Sequence, residues 1–259
     1  MKKLSYVFIY TISFVFLLPA SAQPPQASRP SPWSVGILML TDSQPYRGAD
    51  ENIRVLPSVI YRGERLKVLG PLVQYLVFKN DVLTLNANAA FQFTPYEEDD
   101  SAFLRGMDEP DPTLLAGLDA RISLGSLLSP GWSMLLTAEG DVLDEHGGFQ
   151  LTVGGSYSFG SPRGPISGGV GAGVLVQDAN WTNYFVGVPL SSATEDRATY
   201  DASSSLNPYL AARGMYVINR NWSLMGIARI EWLDDSWTDS SILSDDTRTV
   251  TFLGLNYTF

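Results

Sequence analysis

The 259-residue chain has no cysteine and one histidine, His146. Without cysteine there is no disulfide framework and no thiolate chemistry, and the usual Cys/His spacings of a zinc centre are absent. Cations are scarce as well: 17 Lys and Arg stand against 27 Asp and Glu, a net charge of −10. That balance argues against a nucleic-acid partner, whose phosphates must be met by Lys and Arg. Beyond the first segment no apolar run approaches the roughly 18 residues a spanning helix needs. Phosphate-cradling glycine loops and internal repeats are also missing.

What is present begins with a leader. Lys2 and Lys3 precede an apolar stretch over 4–18, and Ala20-Ser21-Ala22 supplies small residues for cleavage before Gln23. Residues 1–22 are therefore expected to be a cleaved signal peptide. Removing them takes two lysines and moves the net charge from −10 to −12. Residues 23–32, QPPQASRPSP, hold too much proline for a sheet interior and read as a short periplasmic lead-in. The remainder, 33–259, reads as one domain of strands.

Side chains along a strand alternate between its two faces, and most of this domain alternates. Over 83–93 the apolar parity is Leu83, Leu85, Ala87, Ala89, Phe91 and Phe93; over 114–124 it is Leu114, Ala116, Leu118, Ala120, Ile122 and Leu124. Stretches 132–141, 149–159, 166–177, 206–218 and 222–232 follow suit, with turn residues between them. The last stretch sets Leu253, Leu255, Tyr257 and Phe259 against Gly254, Asn256 and Thr258. Terminal strands of bacterial outer-membrane barrels are similar, with aromatic or aliphatic residues at every second position and a final Phe. That resemblance implies that Leu253, Leu255, Tyr257 and Phe259 form the signal met by the barrel insertion machinery.

A soluble sandwich also alternates, so the aromatic positions matter more. Trp222 and Trp232 share a face and are ten residues apart. At about 3.4 Å per residue and a tilt near 40°, they span about 26 Å, close to the roughly 25 Å apolar band between the aromatic girdles of a membrane barrel. Connections also differ in length. Those at 79–81, 160–165 and 219–220 are short, while those at 94–112, 189–205 and 234–246 are long, as extracellular loops are. Counting 66–78 as one strand gives eleven, an odd number for a bacterial barrel; a turn at Gly70-Pro71 restores parity. The expectation is an all-β fold: a transmembrane, antiparallel, up-and-down β-barrel of about twelve strands, with ten as the alternative. It would sit among lipid and lipopolysaccharide in the outer membrane, with the leader and short turns in the periplasm.

Several motifs, in this order and spacing, resemble the MltA-interacting protein (MipA/OmpV) family of Gram-negative outer membranes. They are Tyr46-Arg47-Gly48-Ala49-Asp50, Leu56-Pro57-Ser58-Val59-Ile60-Tyr61 running into Glu64-Arg65, Leu104-Arg105-Gly106-Met107 with Asp111-Pro112-Thr113, Gly140-Asp141-Val142 with His146-Gly147-Gly148, and the terminal Gly254 to Phe259. The resemblance implies an outer-membrane barrel without a catalytic residue set. It further implies an envelope scaffold, with a lytic transglycosylase or a peptidoglycan synthase as partner.

Candidate residues for chemistry each carry a plainer alternative. Asp119, Arg121, Glu139, Asp141, Arg213, Arg229 and Glu231 fall on the polar parity and should face the lumen. There they would line a narrow channel for small solutes or, in the favoured reading, pair and fill the interior. His146 with Ser133 or Ser156 would be the core of a rim lipid hydrolase, but neither serine has a nucleophile-elbow context, and a turn residue beside two glycines is the simpler reading. Glycines 168, 169, 171 and 173 would admit a loop or ligand, or mark a bulge. The acidic loops 94–112 and 234–246, at −6 and −5, are solvated surfaces or, less simply, weak cation sites. No catalytic residue, cofactor or metal ligand is assigned.

Overall fold

A computed structural model describes residues 31–50, 52–161 and 164–259. The expected signal peptide, and the lead-in as far as residue 30, lie outside the described residues. Twelve antiparallel strands pair in chain order and close into a barrel. They are β1 (Trp33–Asp42), β2 (Asn52–Arg62), β3 (Leu66–Leu69), β4 (Leu72–Lys79), β5 (Leu83–Gln92), β6 (Thr113–Ser123), β7 (Trp132–Asp141), β8 (Phe149–Gly160), β9 (Ile166–Gln177), β10 (Ser205–Val217), β11 (Trp222–Trp232) and β12 (Thr247–Thr258). The turn that makes the number even is at Gly70-Pro71, between paired Leu69 and Leu72. Gly70 has φ 64°, a left-handed value that glycine adopts without the clash a Cβ would bring.

Closure joins β1 to β12, with Ser34 opposite Thr258, so Trp33 and Phe259 lie at one end with every short turn except Gly70-Pro71, which caps the short β3 within the wall. The long connections gather at the other end. The faces follow the alternation. Leu253 and Leu255 are exposed on β12, whereas Gly254 between them, and Val250 and Asn256 on the same parity as Gly254, are buried. Cross-strand aromatic pairs ring the outside of the short-turn end, with centroids 4.8 Å apart for Trp33–Tyr61, 5.3 Å for Trp132–Tyr157 and 5.2 Å for Trp222–Tyr257. Rings with a polar edge suit the membrane–water boundary, which is why they gather there.

The wall is uneven at β3. Four residues long, this strand pairs only with Ile60, Tyr61 and Arg62 of β2. The rest of β2, from 53 to 58, has strand partners on its β1 side alone. Pro57 sits there without losing a ladder bond. The Val59 carbonyl accepts from Gly70 on the β3 side, while the Arg62 amide donates to Pro32 on the other. By alternation the Pro57 nitrogen faces the β3 side, where no strand is paired.

The buried apolar cluster is not in the wall but across the long-loop end. Tyr46, Tyr96, Leu104, Met107, Trp181, Phe185, Val186, Val188, Trp237, Ile242 and Leu243 come from loops at four places around the barrel. Two short helices carry part of it: α1 (Ala179–Val186), capped by Asp178 accepting from the Trp181 amide, and α2 (Asp235–Thr238), capped by Asp234 accepting from the Ser236 amide.

Candidate functional site

The candidate site is the lumen, and its two ends are built differently. At the long-loop end the loops fold over the mouth. Trp237 is 1% exposed; its ring lies 5.2 Å from that of Phe185, and its indole Nε1 donates to Gln177 Oε1 at 3.2 Å and Ser205 Oγ at 3.1 Å. The Tyr46 hydroxyl donates to the Phe185 carbonyl at 3.2 Å and the Tyr184 hydroxyl to the Asp111 carbonyl at 2.8 Å. Buried Arg197 donates from Nε to the Ser192 carbonyl at 2.8 Å and from Nη1 to the Phe103 carbonyl at 2.5 Å. These bonds run between loops that leave the barrel at different places, and Ser240 Oγ adds another to the Val186 carbonyl, so the cap holds as a unit.

Beneath the cap runs a polar collar. Gln177 Oε1 also accepts from Ser205 Oγ and Asn207 Nδ2, and Gln177 Nε2 donates to Gln150 Oε1 at 2.7 Å. Gln150 Nε2 in turn donates to Glu139 Oε1 at 3.0 Å. Arg229 and Glu231 approach to 2.6 Å, with the Arg229 guanidinium 4.7 Å over the Tyr209 ring. Arg248 meets Asp42 through two nitrogens at 3.4 and 3.1 Å. Two-point contact of a guanidinium with a carboxylate is the geometry that makes burial of both charges tolerable.

Asp141 serves the adjoining loop. It accepts from the amides of Leu143, His146 and Gly147 at 3.0, 2.7 and 3.0 Å, and from the Thr113 hydroxyl. His146 is packed under that loop, its side chain 4% exposed and its ring 4.5 Å from Tyr184 and 5.4 Å from Trp181. Its Nδ1 accepts from the Gly148 amide at 2.9 Å, so the proton of the neutral ring sits on Nε2. Burial depresses its pKa, and the Asp141 carboxylate only partly opposes that. Ser133 and Ser156 bond to each other at 3.0 Å near the short-turn end, the opposite end from His146. The three do not form a nucleophilic constellation.

In the other half of the lumen the polar partners are hydroxyls and amides. Asp119 accepts from Asn86 at 2.9 Å and Gln74 at 3.5 Å. Arg121 donates to Ser133 at 3.1 Å and Arg213 to Ser158 at 2.8 Å. The glycine face of β9 is filled from β10. A Cβ on Gly173 would meet the Tyr209 ring at 2.9 Å, and one on Gly169 would meet Arg213 Nε at 3.1 Å. These glycines make room for a neighbour's side chains rather than for a loop. Asp42, Arg62, Lys67 and Arg248 also face the lumen and escaped the reading of the sequence.

The residues expected to form the assembly signal lie at the seam of closure. Leu253 and Leu255 pair with β1 and β11 and are 42% and 39% exposed; Tyr257 lies 5.4 Å from Phe259, whose side chain is 62% exposed. In the acidic loop, carboxylates accept backbone amides: Glu98 from Gly106 at 3.2 Å, Glu109 from Glu98 at 3.0 Å and Asp100 from Glu97 at 2.9 Å. Burial raises the pKa of Asp100 and Glu97, with neighbouring carboxylates adding to it. Among the described residues no group of three or more acidic or histidine side chains is placed to hold a metal ion.

The model of the MltA-interacting protein MipA family matches residues 35–259, nearly all of the barrel. The chain belongs to the MipA family. Among relatives, the putative outer membrane protein YiaT of Escherichia coli K12 is 27% identical over 253 residues, covering 95% of this chain and 96% of its own. MltA-interacting protein of the same organism is 25% identical over 230 residues, covering 88% and 90%. Outer membrane protein OmpV of Vibrio cholerae is 24% identical over 194 residues, covering 74% and 73%. Among solved structures, an outer membrane channel from Pseudomonas putida F1 covers 92% of this chain and 100% of its own at 11% identity, with a TM-score of 0.43, a likeness too loose to carry a function. This MipA-family chain is an outer-membrane β-barrel protein.

Proposed function

We propose that this barrel is a non-catalytic envelope adaptor that holds a peptidoglycan-remodelling enzyme at the inner face of the outer membrane. The observation that carries the reading is the cap. With Trp237, Phe185 and Leu104 packed across the long-loop mouth, passage through the lumen would require unpacking a buried core. What remains available to a partner is surface. If the short-turn end faces the periplasm, an enzyme working on murein can reach only the lead-in over 23–32 and the turns at 79–81, 125–130, 160–165 and 219–220. One relative is named an MltA-interacting protein, which supports a lytic transglycosylase as partner here. Short turns present little area, so the contact should be weak or multivalent. A narrow channel is the second reading, favoured by the cavity of about 450 Å³ at the short-turn end.

Mild crosslinking in native membranes, followed by purification, tests the adaptor. Rewriting residues 161–165 or trimming 23–32 should release a murein enzyme while the barrel still assembles. Partners that stay bound after both changes, yet leave when 94–112 is cut, would reverse the inside-outside assignment. Regular single-channel steps in planar bilayers, altered by Arg213→Ala or Glu139→Ala, would replace the adaptor with the channel.

A further inference from the structure

The short-turn half of the lumen is positive in a protein that is acidic overall. Arg62 ends β2, Lys67 is second in β3, Arg121 is third from the end of β6 and Arg213 fifth from the end of β10, all on the inward parity. Among the described strand residues at this end, Asp119 is the carboxylate facing the same space. Arg121 donates to Ser133, Ser133 bonds to Ser156, and Arg213 donates to Ser158 two residues farther along β8, so two of these cations meet one row of hydroxyls. Arg62 and Arg121 donate to neutral hydroxyls, Ser34 at 3.2 Å and Ser133 at 3.1 Å. The Nε atoms of both are buried with no hydrogen-bond partner. Like charges gathered in a poorly solvated space repel, and an anion among them relieves the repulsion.

Beside this group lies the cavity of about 450 Å³, lined by Arg213, Ser158, Ser167, Met215, Met225 and Ile227. One side is cationic and hydroxylic; the other, with two thioethers and an isoleucine, is apolar and adaptable. Cavities of roughly this size hold small organic molecules. The space opens beside the turn at Pro130 and Gly131, and the cap closes the far mouth.

We propose that the short-turn half of the lumen binds a small organic anion, a carboxylate or phosphate on a short apolar body. The oxyanion sits between Arg121 and Arg213, whose guanidinium forks match either group, and the body lies against Met215, Met225 and Ile227. Lys67 and Arg62 add positive charge to the same half of the lumen. The site does not depend on the adaptor reading: a barrel could hold a murein enzyme with or without it.

The test uses the full mature chain in a non-ionic detergent, with hexanoate, hexyl phosphate, inorganic phosphate and hexanol titrated by calorimetry. Saturable one-to-one binding of hexanoate or hexyl phosphate is expected, the preference between them naming the oxyanion. Inorganic phosphate should bind more weakly and hexanol not at all. Arg121→Gln and Arg213→Gln should each weaken binding about tenfold, the scale of one lost hydrogen bond to a charged group. Met215→Trp should abolish it by filling the cavity while leaving every charge in place, which keeps the test valid if an arginine variant fails to fold. Binding absent from the wild-type barrel, shared equally by hexanol, or unchanged in Met215→Trp and in whichever arginine variants fold would overturn the proposal.

Discussion

The two halves of the lumen solve the problem of buried charge in opposite ways. Under the cap, Arg248 meets Asp42 and Arg229 meets Glu231. Toward the short turns, Arg62, Arg121 and Arg213 lean on serines, and Asp119 leans on amides. Charges whose partners are fixed belong to a part that must not move. Charges met by neutral hydroxyls leave capacity for something else. The same barrel therefore combines a closed end whose arginines meet carboxylates with an end whose arginines meet hydroxyls.

Damage should accordingly be costly at one end and milder at the other. Trp237→Ala should have the largest effect, about 3–5 kcal/mol, because it removes a fully buried ring together with one donor to Gln177 and Ser205. Its readouts are an earlier heat-induced mobility shift and the appearance of conductance in planar bilayers. Arg248→Ala should come next, at up to about 3–5 kcal/mol, since Asp42 would stay buried without its cation. The same truncation at Arg213 should cost less, about 1.5–3 kcal/mol, the scale of a hydrogen bond between a charged group and a hydroxyl. Equal losses at Arg248 and Arg213, measured by urea unfolding in detergent, would erase the distinction.

The smallest effect is one of pH. Burial holds the His146 pKa below its ordinary value, so the unfolded loop binds the proton more readily than the folded one. The contribution to cap stability is whole above the ordinary imidazole pKa of about 6.5 and declines as pH falls toward the depressed value. Tryptophan fluorescence of Trp181 should report a looser cap on mild acidification, and His146→Gln should flatten that dependence. The raised pKa values of Asp100 and Glu97 act in the opposite sense, favouring the folded loop as pH falls toward their ordinary values. A cap that tightens monotonically from pH 7 downward would mean that these carboxylates dominate.

The wall was legible because its code is local. Alternation at period two names the faces of β5, β6, β11 and β12, and the odd strand number pointed to the Gly70-Pro71 turn. The inward parity of Asp119, Glu139 and Arg229 follows from the same rule. Two things escaped it. Lys67 lies in a strand of four residues, too short to show a period. The cap has no period at all: Tyr46 reaches Phe185, and Arg197 reaches Phe103, between segments far apart in the chain. Tyr96, Leu104, Met107, Trp181 and Trp237 looked scattered because the surface they share exists only after the barrel has closed. Arg248 and Asp42 were hidden in the same way, at the ends of strands that are neighbours only through closure.

Pro57 gives the barrel a rule about company. Where β3 stops short, β2 offers an open edge from 53 to 58, the kind of edge that invites a strand from another molecule. A proline with its nitrogen turned to that side has no amide to offer, and one of the donors that hydrocarbon would leave unanswered is gone. The edge is thus poor bait for a second copy or a stray hairpin. Restoring the donor with Pro57→Val should make β2 sociable, giving dimers on unheated gels that the native sequence does not form. The opening in the wall would then be closed by a neighbour instead of being left to the bilayer.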